Sequence, residues 1–512
     1  MVSDFDYIVV GAGSAGAVVA ARLTEAPDVR VLLLEAGKDD AAAQIHDPTA
    51  WFSLIGGEHD WGYTTVPQPG LAGHPQAAVR GKVLGGSSSI NVMTYVRGHL
   101  GTFDAWAADG CPGWDAASVL ETFRALEHAE GRDPRFRGTG GPLRLSRAVT
   151  PNPLSTAFLD AAKELGYPYN DDFNGAESDG AGRHEWTIHE GRRQSTAVAY
   201  LDPAMDRPNL TVRTEAHAQR LLFEGTRCVG VEYAGSGGCA GSGGVARRVR
   251  AAREVIVCAG SVDSPKLLML SGIGPAGHLR EVGVPVLVDA PEVGANLQDH
   301  PLVGLVHEAG TPLPPPPPTT AEAALFTRTA PGVPRPDLEV FLFHIPFHPR
   351  LLPFPPNSFT LTVAAMQPHS RGTVRLSGAD PEDRPLIDPG YLSDGRDLAT
   401  LVQGVELARS LAATDAFEAW QPRELLPGPG VTDRDGLADF VRENTGTYFH
   451  HVGTCRMGGD EQSVVDPRLR VRGVDGLRVA DGSIMPSIVS ANTNAACVMI
   501  GEMAAELIRA DA

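Results

Sequence analysis

The sequence predicts an α/β fold that opens with a Rossmann-like unit, and three observations carry that prediction. Residues 6–10 are a short apolar run, long enough for one strand buried on both faces. Glycines follow at once in Gly11-Ala12-Gly13-Ser14-Ala15-Gly16. They lead into small, apolar residues as far as Leu23, as a closely packed helix requires. A second apolar run over 29–34 ends in a carboxylate, Glu35.

Each of these residue types has a physical task. Gly11 permits a tight turn, Gly13 lets the backbone approach a pyrophosphate, and Gly16 lets the helix pack close to the sheet. Backbone N–H groups of the first helical turn, near Ser14 and Ala15, would face the phosphates. Glu35 follows Gly16 by 19 residues, where a carboxylate can accept hydrogen bonds from ribose hydroxyls. The motif therefore predicts a dinucleotide site. It leaves FAD and NAD open, while Glu35 disfavours a 2′-phosphate and hence NADP.

The 512 residues suffice for two domains, or for one large domain with a cap, and 42% hydrophobic content supports a sizeable core. A net charge of −19 argues against nucleic acid as a partner, because phosphate contacts need clustered Lys and Arg. No run approaches the roughly 18 apolar residues of a membrane span. The first strand begins by residue 6, so no signal peptide is expected. Six scattered cysteines without a CxxC pair suit a reducing cytoplasm and predict neither a metal site nor a disulfide framework.

Further elements follow from local pattern. Residues 117–129 and 153–165 read as helices. Residues 209–233 alternate around Gly225 as paired strands, and the Gly/Ser-rich stretch over 234–244 reads as a surface turn. Residues 254–260 form another buried strand, leading into a short helix over 264–272 closed by Gly272. Pro314 to Pro318 predict a polyproline II segment in a linker or at a site rim. Alternation over 359–376 predicts sheet. Residues 477–481 form a strand ending in Asp481, and 495–508 a helix capped by Asn492 or Asn494.

Two stretches carry candidate chemistry. Within residues 80–91, the eight residues 82–89 place Lys82, two glycines and three serines where they could form a second wall for a phosphate or a ribityl chain. His450 and His451 follow Tyr448-Phe449 and precede Val452-Gly453-Thr454. Histidine, with an unperturbed pKa of ~6.5, suits a general base near neutral pH. No HxH or HExxH spacing accompanies the pair, so no metal is expected.

Together these blocks resemble the glucose–methanol–choline (GMC) flavoprotein oxidoreductases. Residues 81–91 look like the family's first signature and residues 260–274 like its second. The stretches 293–300, 450–458 and 481–502 are also similar, so the likeness spans nearly the whole chain. The resemblance implies FAD. It also implies a cofactor domain assembled from 1–150, 195–305 and 445–512, with an α+β substrate domain built on an antiparallel sheet from 151–194 and 306–444.

Carried over by position, Ser14, Ala15, Glu35 and Ala36 lie along the adenosine and pyrophosphate, with Gly11, Gly13 and Gly16 beneath. Trp61 and Ala218 fall on the adenine half. Val83, Asn91, Val92, Met93 and Thr94 lie along the ribityl–flavin half, with Asp481 and Thr493 nearby. His450 takes the catalytic position and Asn492 its partner position, while His451 stands where the family usually has proline. Ile90 occupies the position at which some members attach FAD through a histidine, so non-covalent FAD is expected.

The implied reaction is oxidation of a primary alcohol to the aldehyde. His450 accepts the hydroxyl proton, Asn492 steadies the alkoxide, and hydride passes to flavin N5. Oxygen or another acceptor then takes the electrons. A hydroxynitrile lyase-like enzyme and a light-driven fatty acid enzyme on the same scaffold are the competing readings. Phe341, Phe343, Phe347, Phe354, His344 and His348 make residues 339–356 a candidate pocket wall, favouring an apolar or aromatic alcohol.

Overall fold

The computed structural model describes residues 5–235, 246–350 and 352–512. Of the turn predicted over 234–244, residues 236–244 lie outside the described residues.

A mixed sheet holds the N-terminal motif. Strands Leu210–Arg213, Val31–Leu34, Phe5–Val10, Ala246–Val257 and Leu477–Val479 lie side by side in that order, all parallel. Residues 8–10, 31–34 and 255–257 are buried on both faces, as a sheet covered on both sides requires. Register aligns Val10 with Leu34 and with Val257, and Val257 with Val479. The C-terminal ends of strands drawn from residues 5 to 479 therefore share one edge. The long strand Ala246–Val257 serves two roles, because its first half also pairs antiparallel with Arg227–Ala234, which in turn pairs with His217–Glu224.

Two helices pack together on this sheet. Gly16–Leu23 follows the glycine turn, and a Cβ at Gly16 would lie 1.9 Å from the Gly11 carbonyl oxygen. Only glycine permits that approach. Asn494–Asp511 crosses it at Gly501, where a Cβ would lie 2.7 Å from the Ala15 carbonyl oxygen. Arg22 and Glu502 join the two helices at 2.7 Å. At the far end, Asp511 is gripped by Arg468, Arg470 and Arg478, the last at 2.7 Å.

The second sheet is antiparallel, in the order Pro422–Leu426, Pro301–Ala309, Ser358–Ala365, Leu338–Phe343, Ala321–Thr327 and Gly180–Arg183. Alternation divides its faces. Leu338, Val340 and Leu342 belong to the apolar layer shared with helices Pro153–Glu164, Gly395–Ala412 and Arg434–Asn444. Phe341 and Phe343 point the other way, among Trp51, Met93, Trp186 and Ala491. This second layer brings the antiparallel sheet against the strand ends of the first.

Two expectations are corrected here. The helix predicted over 264–272 starts earlier, as Gly260–Leu270, with Pro265 inside it. Proline reads as a first-turn residue, but here its missing N–H frees the Ser261 carbonyl, which accepts the Thr454 hydroxyl at 2.7 Å. Neither Asn492 nor Asn494 caps the last helix. Thr493 holds the cap position without a side-chain bond, and the Asn494 amide donates to Ser14 Oγ at 2.9 Å.

Candidate active site

One elongated cavity runs along the shared strand edge and on beneath the antiparallel sheet. Glu35, Ala36, Trp61 and Ala218 line it in one region, and Gly11, Gly13, Ser14 and Ala15 in the middle. Asp481, Asn91, Val92, Met93, Thr94, His450, Asn492 and Thr493 line the rest. Gly16 and Val83 are not on its wall. Gly16 acts through helix packing, as above. Val83 turns into an apolar cluster with Ile45, Leu54, Val79 and Ile90, so its side chain supports the wall from behind.

The second glycine loop is also corrected in part. Gly81, Gly86 and Ser87 reach the cavity. Lys82 instead places its Nζ over the Trp61 ring at 4.4 Å. Ser88 and Ser89 donate to the Gly85 and Leu84 carbonyls, both at 2.6 Å, and so hold their own loop.

These residues fit a dinucleotide. A Cβ at Gly86 would lie 2.7 Å from Gly13 Cα, so the two glycine loops meet as bare backbone. At Gly260, a cavity residue with φ +83°, a Cβ would meet nothing within 4 Å, so the cleft is open there. The N-termini of Gly16–Leu23 and Asn494–Asp511 both face the cavity, each with partial positive charge. Glu35 accepts from the Ala12 and Gly37 N–H groups at 2.9 and 2.8 Å, and burial raises its carboxyl to about 7. Asp481 accepts from the Gly260 N–H at 2.9 Å and the Ser483 N–H at 2.8 Å, fixing the turns beside it.

His450 and His451 both touch the cavity, but their partners differ. His450 Nδ1 lies 2.9 Å from His300 Nδ1, and its Nε2 lies 3.4 Å from the Asn492 amide nitrogen. An amide N–H facing Nε2 makes that nitrogen the acceptor, so Nδ1 carries the proton toward His300. The Tyr448 ring stacks on His450 at 4.3 Å. Burial holds His450 well below the usual histidine range, helped by the nearby His300, Arg80 and His451. His450 is therefore neutral at pH 7, with its lone pair beside Asn492. His451 is instead enclosed by Arg80 on Nδ1 and by Asp299, 3.7 Å from Nε2.

Sequence spacing did not reveal what holds this segment. Asp299 lies some 150 residues before it, yet accepts from the His450 backbone N–H at 2.7 Å and from the Tyr391 and Thr447 hydroxyls. Arg80 donates to the Phe449 carbonyl at 2.7 Å, and Phe449 adopts φ +62°, a backbone region costly for a bulky residue. The Ser261 hydroxyl donates to the His451 carbonyl at 2.6 Å. The stretch 293–300 was visible as family-like, but only folding shows that its last two residues grip the histidines.

Of the candidate pocket wall, Phe341, Phe343 and Phe347 line the cavity with Trp51, Leu302 and Ala321. Phe354, His344 and His348 do not. His344 bonds to Ser155 and Thr320, and His348 to Asn444. The proline run over 314–318 is irregular and does not reach the cavity.

Buried neutral histidines make stability depend on pH. Burial depresses His300, His344 and His451 to about 4, below the unfolded value of ~6.5. The native state then binds fewer protons than the unfolded chain between those values. The stability they contribute is complete above pH ~6.5 and is lost as pH falls toward 4. Glu35, raised instead, gains stability on acidification and offsets part of this. The melting midpoint should fall between pH 7 and pH 5 in scanning calorimetry; a flat midpoint would contradict the burial argument.

Comparison with known proteins agrees with this layout. The GMC oxidoreductase family model matches residues 5–302 in its N-terminal part and residues 368–501 in its C-terminal part. Mitochondrial choline dehydrogenase of Homo sapiens is 42% identical, over 99% of this chain and 90% of that protein. Alcohol dehydrogenase [acceptor] of Pseudomonas putida is 40% identical, over 98% of this chain and 95% of its own length. The crystal structure of pyridoxine 4-oxidase from Mesorbium loti superposes with a TM-score of 0.93 at 37% identity, covering 99% of both chains. With its glycine loops, strand edge and histidine–asparagine pair drawn together around one cavity, the chain belongs to the GMC oxidoreductases, flavoenzymes that act on CH–OH donors.

Proposed function

We propose that the protein oxidises an apolar or aromatic primary alcohol to the aldehyde. One observation carries this reading: the His450 Nε2 lone pair and the Asn492 amide, 3.4 Å apart, open on a wall of Leu302, Phe341, Phe343 and Phe347. A neutral alcohol is a poor hydride donor until its hydroxyl proton leaves. His450 takes that proton at Nε2, and Asn492 donates to the alkoxide as charge appears. The α-hydrogen then leaves with its electron pair, and the C–O bond becomes a carbonyl. Bound FAD supplies the two-electron acceptor. The N-terminus of Asn494–Asp511, beside Asn492, favours negative charge in this region.

The acidic residues lining the cavity are Glu35, Asp263 and Asp481. Asp263 accepts from the Tyr63 hydroxyl beside the Trp61 ring, Glu35 is held by the Ala12 and Gly37 N–H groups, and Asp481 is engaged with Gly260 and Ser264. No carboxylate on the cavity wall stands ready for a quaternary ammonium at the His450 end. Similarity to choline dehydrogenases supports choline as a second reading, in which the aromatic rings of the wall would hold the cation. An alcohol panel decides. Benzyl alcohol and medium-chain primary alcohols should give kcat/KM at least tenfold above choline, scored in parallel for peroxide and dye reduction. A preference for choline would overturn the apolar reading. Failure of every alcohol to bleach the flavin without oxygen would favour a non-redox lyase.

Ile90 lines the cavity where attachment through histidine would need a nucleophile, and its side chain has none. Acid or heat denaturation should release all the yellow chromophore into the supernatant. Flavin that stays with the precipitate would show a covalent bond from another residue.

A further inference from the structure

Beyond Phe341 the same face of the antiparallel sheet carries a carboxyl group that the reaction above does not use. Glu339, Phe341 and Phe343 alternate along the strand Leu338–Phe343 and so share a face. Phe341 and Phe343 line the cavity, and Glu339 lies just behind them, fully buried. The Glu339 carboxyl faces the Tyr448 hydroxyl but makes no hydrogen bond of ordinary length among the described residues. His184 stands beside it, with Nε2 3.7 Å from Oε1. His184 does line the cavity, is 1% exposed, and has no hydrogen-bond partner at either ring nitrogen. The Tyr448 hydroxyl faces both Glu339 and Asn492, which puts the pair close to the His450 end.

Buried polar atoms are rarely left without partners, because each costs its desolvation. With Nε2 turned to Glu339, His184 Nδ1 is a buried atom without a partner on a residue of the cavity wall, and it marks a place that a ligand completes. We propose that His184, oriented by Glu339, is a specificity-determining residue that accepts a hydrogen bond from a second donor group on the alcohol, such as a phenolic hydroxyl. Glu339 draws the ring proton to Nε2 and leaves Nδ1 as the acceptor. The carboxylate behind the ring strengthens that acceptor and favours the positive end of an O–H or N–H dipole. This deepens the reading of the His450 end as an alcohol pocket and rests on it.

Near-isosteric alcohols give the test. The flavin-loaded wild-type enzyme and its His184→Phe variant are assayed with para- and meta-hydroxybenzyl alcohol and the matching methylbenzyl and methoxybenzyl alcohols. A site built to bond a hydroxyl discriminates strongly against an analogue that lacks it. His184→Phe should lower kcat/KM for one hydroxybenzyl isomer at least tenfold more than for its methyl and methoxy counterparts, chiefly through KM. Glu339→Gln should shift the preference in the same direction by a smaller factor. Flavin content and melting midpoint identify a variant that fails to fold, and His184→Asn, which keeps a polar group there, then takes its place. Equal losses on all three substituents would overturn the subsite while leaving the alcohol reading intact. Failure of the wild type to oxidise any of these alcohols would overturn the alcohol reading and the subsite with it.

Discussion

Replacing His450 by alanine is expected to slow anaerobic bleaching of the bound flavin by alcohol at least a hundredfold, with the flavin still bound. The factor follows from the step removed, since a positioned base contributes about 10²–10⁴ in rate. Other groups nearby are poorly placed to replace it. His300 sits behind His450 on the Nδ1 side, and His451 is enclosed by Arg80 and Asp299. Burial keeps His450 neutral well below pH 6.5, so wild-type reduction should also vary little between pH 6.5 and 8. Stopped-flow reduction measures both. Near-normal bleaching by the alanine variant would remove His450 from its role. A steep rise in wild-type rate across that range would mean that the base is charged at neutral pH.

The second large effect is expected at Asp299, which never contacts substrate. Asp299→Ala leaves the His450 N–H and the Tyr391 and Thr447 hydroxyls without their acceptor. It also leaves the buried Arg80 guanidinium without the carboxylate that most favours its charge. Each buried polar group left without its partner typically costs about 1–3 kcal/mol. Urea unfolding of the loaded enzyme should show a loss of that order, together with slower flavin reduction as His450 loses its backbone anchor. Asp299→Asn separates the contributions. Its amide oxygen can keep the His450 N–H while the hydroxyls turn to accept from its nitrogen, so only the charge is lost. The asparagine variant should therefore lie between wild type and alanine in both stability and rate. An alanine variant within about 1 kcal/mol of wild type would show that Asp299 does not hold the segment.

Asp299 also shows where sequence reading stopped. The N-terminal unit was legible because a strand, a glycine turn, a helix and Glu35 are consecutive, and local pattern suffices for consecutive elements. The strand leading to Asp481 and the helix after Asn492 were legible for the same reason. The grip on His450 was not, because it depends on a side chain that arrives through Pro301–Ala309, a strand of the other sheet. Lys82 was misread because glycine and serine neighbours suggested phosphate, whereas folding set Trp61 beneath its ammonium group. The cap expected from Asn492 or Asn494 failed for a related reason. Both amides turn to distant partners, one to His450 and one to Ser14, rather than to the helix that follows them. Pro265 was taken near a helix start, and only the Thr454 hydroxyl on the freed carbonyl explains its place inside.

The parallel sheet has a consequence for how the molecule comes to exist. Val255–Val257 stays an open edge until Leu477–Val479 pairs with it, and the helix Gly16–Leu23 lacks its cover until Asn494–Asp511 docks. At about 5–20 residues per second, ribosomes need roughly half a minute or more to bridge the interval from the first strand to the last. Throughout that time the nascent chain carries a bare apolar strand edge, a known template for mispairing. Contacts of such long sequence separation also form slowly. The arginine grip on Asp511 then acts as a late latch, which holds the docked helix only when nearly all of the sheet is already made.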